Sequence, residues 1–487
     1  MLTYNKRNQL EKALKQANTY AEWLTTAEKL DALEGLIKWR RSDDSSIYHA
    51  SLMRTHIRQM QALRQNNNLI DLATLLEESM YRHLGELNNP ELYQDARSGT
   101  KYIVTEYLDE VERALRTLCD QPTPNMPERR KLMLFEQAER IYGRPALMLS
   151  GGAAFGVYHL GVVKALWEQS LLPQTLAGSS MGAVVAAAVC NRSDAEVDLF
   201  FRDQMNTVHR EMARWRSPRD MWQHRSAMDE KLLLESIIAN VGSATFSEAF
   251  QRSGRILNIT VSPTRTHQKP RVLNYMTAPN VLVEYAVLAS CAVPLLFPPV
   301  ALQARGADGR PVPYMSTETW IDGAMRSDLP QDRLARLHNI NQTIVSQANP
   351  FVIPFITHRQ QSGVRAFGKY VLASLIHTGS AELLGIGRQL FGKTRLSPVL
   401  DRAHAIAAQN YLGDINIRFP FKPKAYLKVL ATPNSKELTD YIRLGEHATW
   451  PQIPMIHDLT RISRVFLECI ETIRAKMDQT AQVEDGF

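Results

Sequence analysis

Two apolar runs, each breaking at a glycine-rich turn into a helical pattern, lie close together in the middle of this chain. Pro145-Ala146-Leu147-Met148-Leu149 enters Ser150-Gly151-Gly152, and Val157 to Gln169 then follows helical spacing. Leu176-Ala177 enters Gly178-Ser179-Ser180-Met181-Gly182, and Ala183 to Cys190 continues as a helix of small residues. A short apolar run bounded by glycine reads as a buried strand. Strand, turn and helix twice over predict an α/β unit built on a mainly parallel sheet flanked by helices. Further strands are expected at Arg255 to Val261, Val272 to Tyr275 and Thr343 to Val345.

The flanking regions carry a different period. Tyr20, Trp23, Leu24, Ala27 and Leu30 recur at helical spacing. Ile47 to Leu63 is a second such run, Asn66-Asn67-Asn68 separates it from a third, and a fourth extends from Tyr102 to about Cys119. The prolines of DQPTPNMPER mark a domain edge, and helical patterning returns after about residue 358. The expected organisation is a helical N-terminal domain over 1–140, a catalytic α/β domain over 144–346 and a mostly helical C-terminal region over 347–487. A chain of 487 residues supports two or three such folding units.

Charge narrows the partners without naming one. A net +7 favours anionic surfaces, and lipid or nucleic acid would satisfy it equally. No nucleic-acid-binding motif accompanies the charge. The N-terminus MLTYNKRNQL lacks an apolar leader core. Cys119, Cys190, Cys291 and Cys469 are far apart, without CxxC or metal-ligand spacing, which fits a reducing, cytoplasmic setting. The apolar stretch Val281 to Leu302 contains Glu284, Pro294, Pro298 and Pro299 and reads as buried core rather than a membrane span.

Three segments can carry chemistry. In Gly178-Ser179-Ser180-Met181-Gly182 the glycines permit a sharp strand-to-helix turn that projects Ser180 at a helix N-terminus, where free N–H groups point outward. Such a motif arises by chance in roughly one chain in ten to twenty of this length, so its strand and helix context matters. A tight packing turn is the bland alternative. Ser150-Gly151-Gly152-Ala153 offers backbone N–H donors to an oxyanion. A phosphate loop would need GxGxxG spacing or a Lys-Ser/Thr pair, and neither is present. Trp320-Ile321-Asp322-Gly323-Ala324 supplies a carboxylate that could activate the serine. His159 and His338 are alternative bases for a Ser-His-Asp set, and His224 with Asp229 shows an HxxxxD spacing without supporting context.

The order SGGAAFGVYHLGV, GSSMG, ASCAVPLLFPPV and DGA resembles the patatin-like phospholipases. GRILNITVSP, LNYMTAPNV, IVSQANP and YLGDINI are similar to its branch of triacylglycerol lipases from yeast and plant seeds with bacterial relatives. Residues Ala13 to about Cys119, with YAEWLTTAEKLD and IKWR, resemble the helical domain that precedes the patatin domain in that branch. The resemblance implies a lipid acyl hydrolase in which Ser180 is the nucleophile and Asp322 its partner, a Ser-Asp dyad without histidine. It implies an oxyanion hole lined by Gly151, Gly152 and Ala153, and no metal or organic cofactor. Many patatins have a basic residue where this chain has Phe155, which leans the expectation towards a neutral glyceride over a phospholipid. A transacylase using the same serine and a non-catalytic lipid-binding scaffold are the rival readings.

Between Arg359 and Arg402 seven Lys/Arg oppose two Asp/Glu, interleaved with Phe367, Tyr370, Leu372, Leu375, Ile376, Leu390 and Phe391. This pattern suits a basic amphipathic helix on a membrane or lipid-droplet surface, or equally a helix packed on the α/β core with its charges solvated. Arg54, Arg58 and Arg64 on the N-terminal helices allow the same two readings.

Overall fold

A computed structural model describes residues 2–43, 47–80, 87, 89–123, 126–204, 228–265, 268–294, 296–325, 327–350, 352–353, 411–420, 429, 431 and 433–484. The basic segment 359–402 lies outside the described residues.

The chain forms two compact units, each from separated stretches. One comprises Met1–Pro145, Leu334–Thr343 and Thr449–Phe487; the other comprises Ala146–Arg333 and Ile344–Ala448. A division at 346 would place everything after it together. Here residues 344–448 and 449–487 fall in different units, because helix Ile453–Glu484 buries its apolar face within the first.

In the first unit the expected helices are found at Tyr20–Leu33, Ala50–Gln65, Leu69–Met80 and Tyr102–Asp120. Two more, Leu2–Gln16 and Glu128–Tyr142, were not legible as periodic runs. Along Tyr102–Asp120 the buried residues Val104, Leu108, Val111, Leu115 and Leu118 recur every three or four positions, the stripe a core-facing helix needs. Each such side chain contributes about 1.5–3 kcal/mol on burial. Ile462, Phe466 and Ile473 of the long C-terminal helix complete this core, and Phe466 meets the Phe135 ring edge-on at 6.1 Å.

The second unit holds the sheet, apart from Arg144–Pro145 and Ile340–Thr343. Its strands are β1 (Arg144–Leu149), β2 (Thr175–Gly178), β3 (Ile256–Pro263), β4 (Arg271–Leu273), β7 (Trp320–Asp322), β8 (Ile340–Gln347) and β9 (Ile415–Arg418). A separate hairpin joins β5 (Gln303–Arg305) to β6 (Pro311–Pro313). The sheet order is β4-β3-β2-β1-β8-β9, with β7 also paired to β3. β1 with β2, β2 with β3, and β8 with β9 are parallel, while β4 and β7 run antiparallel to β3. The sheet is therefore mixed but mainly parallel, as the glycine-bounded runs predict. All eight residues of β3 are buried, the continuous burial that a strand covered on both faces requires. β9 is a strand inside a region expected to be mostly helical. Val283 and Val287 of helix Val283–Cys291 and Leu302 beyond it are fully buried, so the helix and its flanks are core, while Pro299 and Ala301 reach the surface. Among the described residues no helix is long and apolar enough to cross a membrane.

Candidate active site

Strand register brings the three chemical segments to one place. Leu149 of β1 lies opposite Gly178 of β2, so the turns that follow these parallel strands emerge side by side. Gly178 lies opposite Ile259 of β3, and two residues further along β3 Val261 lies opposite Asp322. The glycine turn, the GSSMG turn and Asp322 thus gather at the carboxyl edge of the parallel strands, where α/β sheets place their ligands. A Cβ added at Gly151 would lie 3.5 Å from the Ser180 Cβ and 2.9 Å from the Ala324 Cβ, which fixes how closely they approach.

Ser180 sits between β2 and helix Met181–Cys190 with φ 51° and ψ −124°. An L residue rarely adopts this conformation, and it costs of order 1–3 kcal/mol. Its neighbours explain the two glycines. A Cβ at Gly178 would come within 2.4 Å of the Gly182 carbonyl oxygen, and one at Gly182 within 2.2 Å of the Leu149 carbonyl oxygen. The turn is therefore too tight for a side chain on either flank. The Ser180 N–H donates to Ser290 Oγ at 3.0 Å, and Ser290 Oγ–H donates to the Thr260 carbonyl at 2.7 Å. Ser179 and Thr260 hydroxyls are 2.8 Å apart. Helix Met181–Cys190 is entirely buried, which its alanines, valines and glycine allow.

Asp322 is 2% exposed and ends β7. Its Oδ1 accepts the Ala324 N–H at 2.7 Å. Burial pushes its carboxyl up to about 7, against the lowering effect of that hydrogen bond and of the neighbouring Ser180 side chain, and the nearby Asp328 adds to the rise. The Cys291 thiol also neighbours the Ser180 side chain, and burial with the Asp322 charge holds it well above its usual value, so it stays a thiol.

The glycine turn differs in one donor from the expected oxyanion hole. The Gly151 N–H donates to Asp328 Oδ1 at 2.8 Å and is engaged there. The N–H groups of Gly152 and Ala153 have no acceptor among the described residues, and neither does that of Met181. Ala153 has φ 44°, a second strained non-glycine position. Phe155 is not a substrate-facing substitute for a basic residue. It is fully buried and stacks on Phe419, with centroids 4.6 Å apart and planes at 10°.

The histidine alternatives are occupied elsewhere. His159 is fully buried, its Nε2 donating to the Ser150 carbonyl at 2.9 Å and its Nδ1 accepting from Ser346 Oγ at 2.7 Å. The carbonyl can only accept, which assigns the proton to Nε2. Burial lowers this imidazole to about 4, keeping it neutral, while the Ser150 carbonyl opposes the fall. His338 ends helix Gln331–His338 and is buried, its imidazole lowered by burial first and then by the Arg144 charge. Asp229 caps helix Glu230–Val241, accepting the Lys231 N–H at 3.0 Å; its spacing partner His224 lies outside the described residues. Ser290, Thr260 and Asp328 were not singled out from sequence. The only trace of the last is the SDLP string that follows DGA.

A strained serine at a helix N-terminus, a buried carboxylate next to it, and uncommitted N–H groups beside it define a site suited to nucleophilic acyl transfer. The sequence pattern of the patatin-like phospholipases matches residues 147–335, and that of a domain of unknown function (DUF3336) matches residues 1–140. The chain is similar to triacylglycerol lipase ptl3 of Schizosaccharomyces pombe, at 32% identity over 92% of this chain and 94% of that protein. It is also similar to triacylglycerol lipase SDP1L of Arabidopsis thaliana, at 33% identity over 96% of this chain and 58% of that protein. Triacylglycerol lipase 5 of Saccharomyces cerevisiae is 31% identical over 91% of this chain and 62% of that protein. The chain belongs to the patatin-like phospholipase family, and it spans about three fifths of the plant and budding-yeast relatives.

Proposed function

We propose that this protein is a lipid acyl hydrolase that cleaves carboxylic esters of acyl glycerides through Ser180 and Asp322. The observation that carries the reading is Ser180 on a strained turn, its side chain close enough to the buried Asp322 carboxylate to favour the charged form. Asp322 takes the hydroxyl proton as Ser180 Oγ attacks the ester carbonyl. N–H groups of Gly152 and Ala153 stabilise the tetrahedral oxyanion. Collapse expels the lipid alcohol, which takes the proton from Asp322 and leaves an acyl-serine. Water, deprotonated by Asp322, attacks the acyl carbonyl; the bond to Ser180 Oγ breaks, Asp322 returns the proton to that oxygen, and the fatty acid leaves. The names of the relatives support triacylglycerol as the first substrate to try. A net charge of +7 supports peripheral work on an anionic membrane or lipid-droplet surface.

The test is labelling with a fluorophosphonate probe, together with release of fatty acid from triacylglycerol, diacylglycerol and phospholipid. The expected result is labelling and hydrolysis by wild type and neither by Ser180→Ala. Equal labelling of both would refute Ser180 as nucleophile, and product only with an added acceptor lipid would make the protein a transacylase.

A further inference from the structure

We infer that Asp328, which lies outside the Ser180 and Asp322 pair, is a positioning residue that sets the glycine turn against the nucleophile turn. The inference rests on the reading of Ser180 as nucleophile.

Asp328 is 1% exposed and follows the short 3-10 turn Gly323–Met325. Its Oδ1 accepts the Gly151 N–H at 2.8 Å, its Oδ2 accepts from Asn349 Nδ2 at 3.0 Å, and the Ser179 side chain, whose hydroxyl is 2.8 Å from that of Thr260, is near enough to lower its carboxyl. These partners belong to three separate segments. Gly151 lies in the turn after β1, Ser179 in the turn after β2, and Asn349 in the chain leaving β8. One carboxylate therefore joins the loop meant to hold the oxyanion to the turn that presents the nucleophile.

A buried carboxylate is costlier than an apolar side chain of the same size, so its presence calls for a reason in what it joins. The Gly151 peptide supplies one. With its N–H turned to Asp328, the next N–H groups, those of Gly152 and Ala153, are the ones left without an acceptor among the described residues. Ala153 stands at φ 44° against its own preference, so the loop must be held from both ends. Asp328 holds one end, and the stack of Phe155 on Phe419 holds the other.

The charge of Asp328 also acts on its neighbours. The titratable groups that face it are Asp322 and Tyr411, and both are pushed up by it in addition to burial. Asp328 itself is raised to about 6, by burial first, against its hydrogen bonds to Gly151 and Asn349 and the nearby Ser179 side chain. An uncharged residue of the same shape should therefore make Asp322 easier to ionise.

The experiment uses the full chain, a p-nitrophenyl ester as substrate, and Asp328→Ala, Asp328→Asn and Ser180→Ala. Asp328→Ala should lower kcat by about 100-fold, the scale of losing one oxyanion donor, with KM within about threefold. Asp328→Asn keeps an acceptor for the Gly151 N–H and should recover at least about tenfold of that loss. Its acid limb in kcat/KM should move to lower pH, since a like charge has gone. A folded Asp328→Ala with kcat within about threefold of wild type would overturn the inference. So would equal impairment of both variants with an unmoved acid limb. If Asp328→Ala does not fold, the limb of Asp328→Asn decides alone: displaced supports the role and unmoved refutes it. Ser180→Ala with intact turnover would instead sink the nucleophile reading, and this inference with it.

Discussion

Replacing Asp322 by asparagine should abolish turnover while making the protein more stable above neutral pH. The carboxyl is 2% exposed and raised from 3.8 to about 7, by burial first. A group raised on folding contributes stability that is fully present below its unfolded value and lost as pH rises through its folded value. At about 1.4 kcal/mol per pH unit, wild type has lost about 1.6 kcal/mol at pH 5 and about 4 kcal/mol at pH 8. Asparagine loses none, and its amide oxygen still accepts the Ala324 N–H. Its excess stability over wild type should therefore grow by about 2–3 kcal/mol between pH 5 and pH 8. Asp328 titrates in both proteins and largely cancels. Urea titrations at the two pH values, with slopes compared, read the difference. Turnover should fall by about 10²–10⁴ through loss of the base. An excess that stays flat or shrinks with pH would refute a buried, ionising Asp322. Full turnover in the asparagine variant would refute it as base.

Two further substitutions separate architecture from chemistry. Gly182→Ala would place a methyl group 2.2 Å from the Leu149 carbonyl oxygen, between two strand ends that cannot part. It should cost at least about 1–3 kcal/mol in thermal unfolding and disable labelling of Ser180. His159→Ala leaves the Ser150 carbonyl without its donor and should cost about 1–3 kcal/mol. Its kcat, measured on folded protein, should fall by less than about tenfold with an unmoved acid limb, whereas a true general base would cost 10² or more.

Much of this site was legible because it depends on local chemistry. Gly178 and Gly182 announce a turn without room for a side chain, and the apolar runs before Gly151 and Gly178 announce strands that end there. Sequence could not show that Leu149 and Gly178 pair in register, which is what puts the two turns together. Nor could it show the direction of a single peptide. Gly151 reads as an oxyanion donor until Asp328, far along the chain, is seen to take its N–H. β9 escaped for a similar reason: a four-residue strand is stabilised by its pairing with β8, not by its own composition. The division of the C-terminal region was hidden because helix Ile453–Glu484 packs with residues hundreds of positions earlier.

Two buried carboxyls, rather than one, bear on the proposed role of Asp322 as base. Asp328 is raised to about 6 and Asp322 to about 7, each chiefly by burial. The two carboxyls interact, the Asp328 charge adding to the rise of Asp322, so they titrate as a pair. A second charge in the same apolar setting is harder to form, and the carboxylate that results is correspondingly more basic. An aspartate near 7 has the proton affinity of an ordinary imidazole, the range in which a general base works best at neutral pH. In the proposed mechanism burial and a like charge give the carboxylate at position 322 the basicity of an imidazole, and His159 holds the glycine turn through the Ser150 carbonyl.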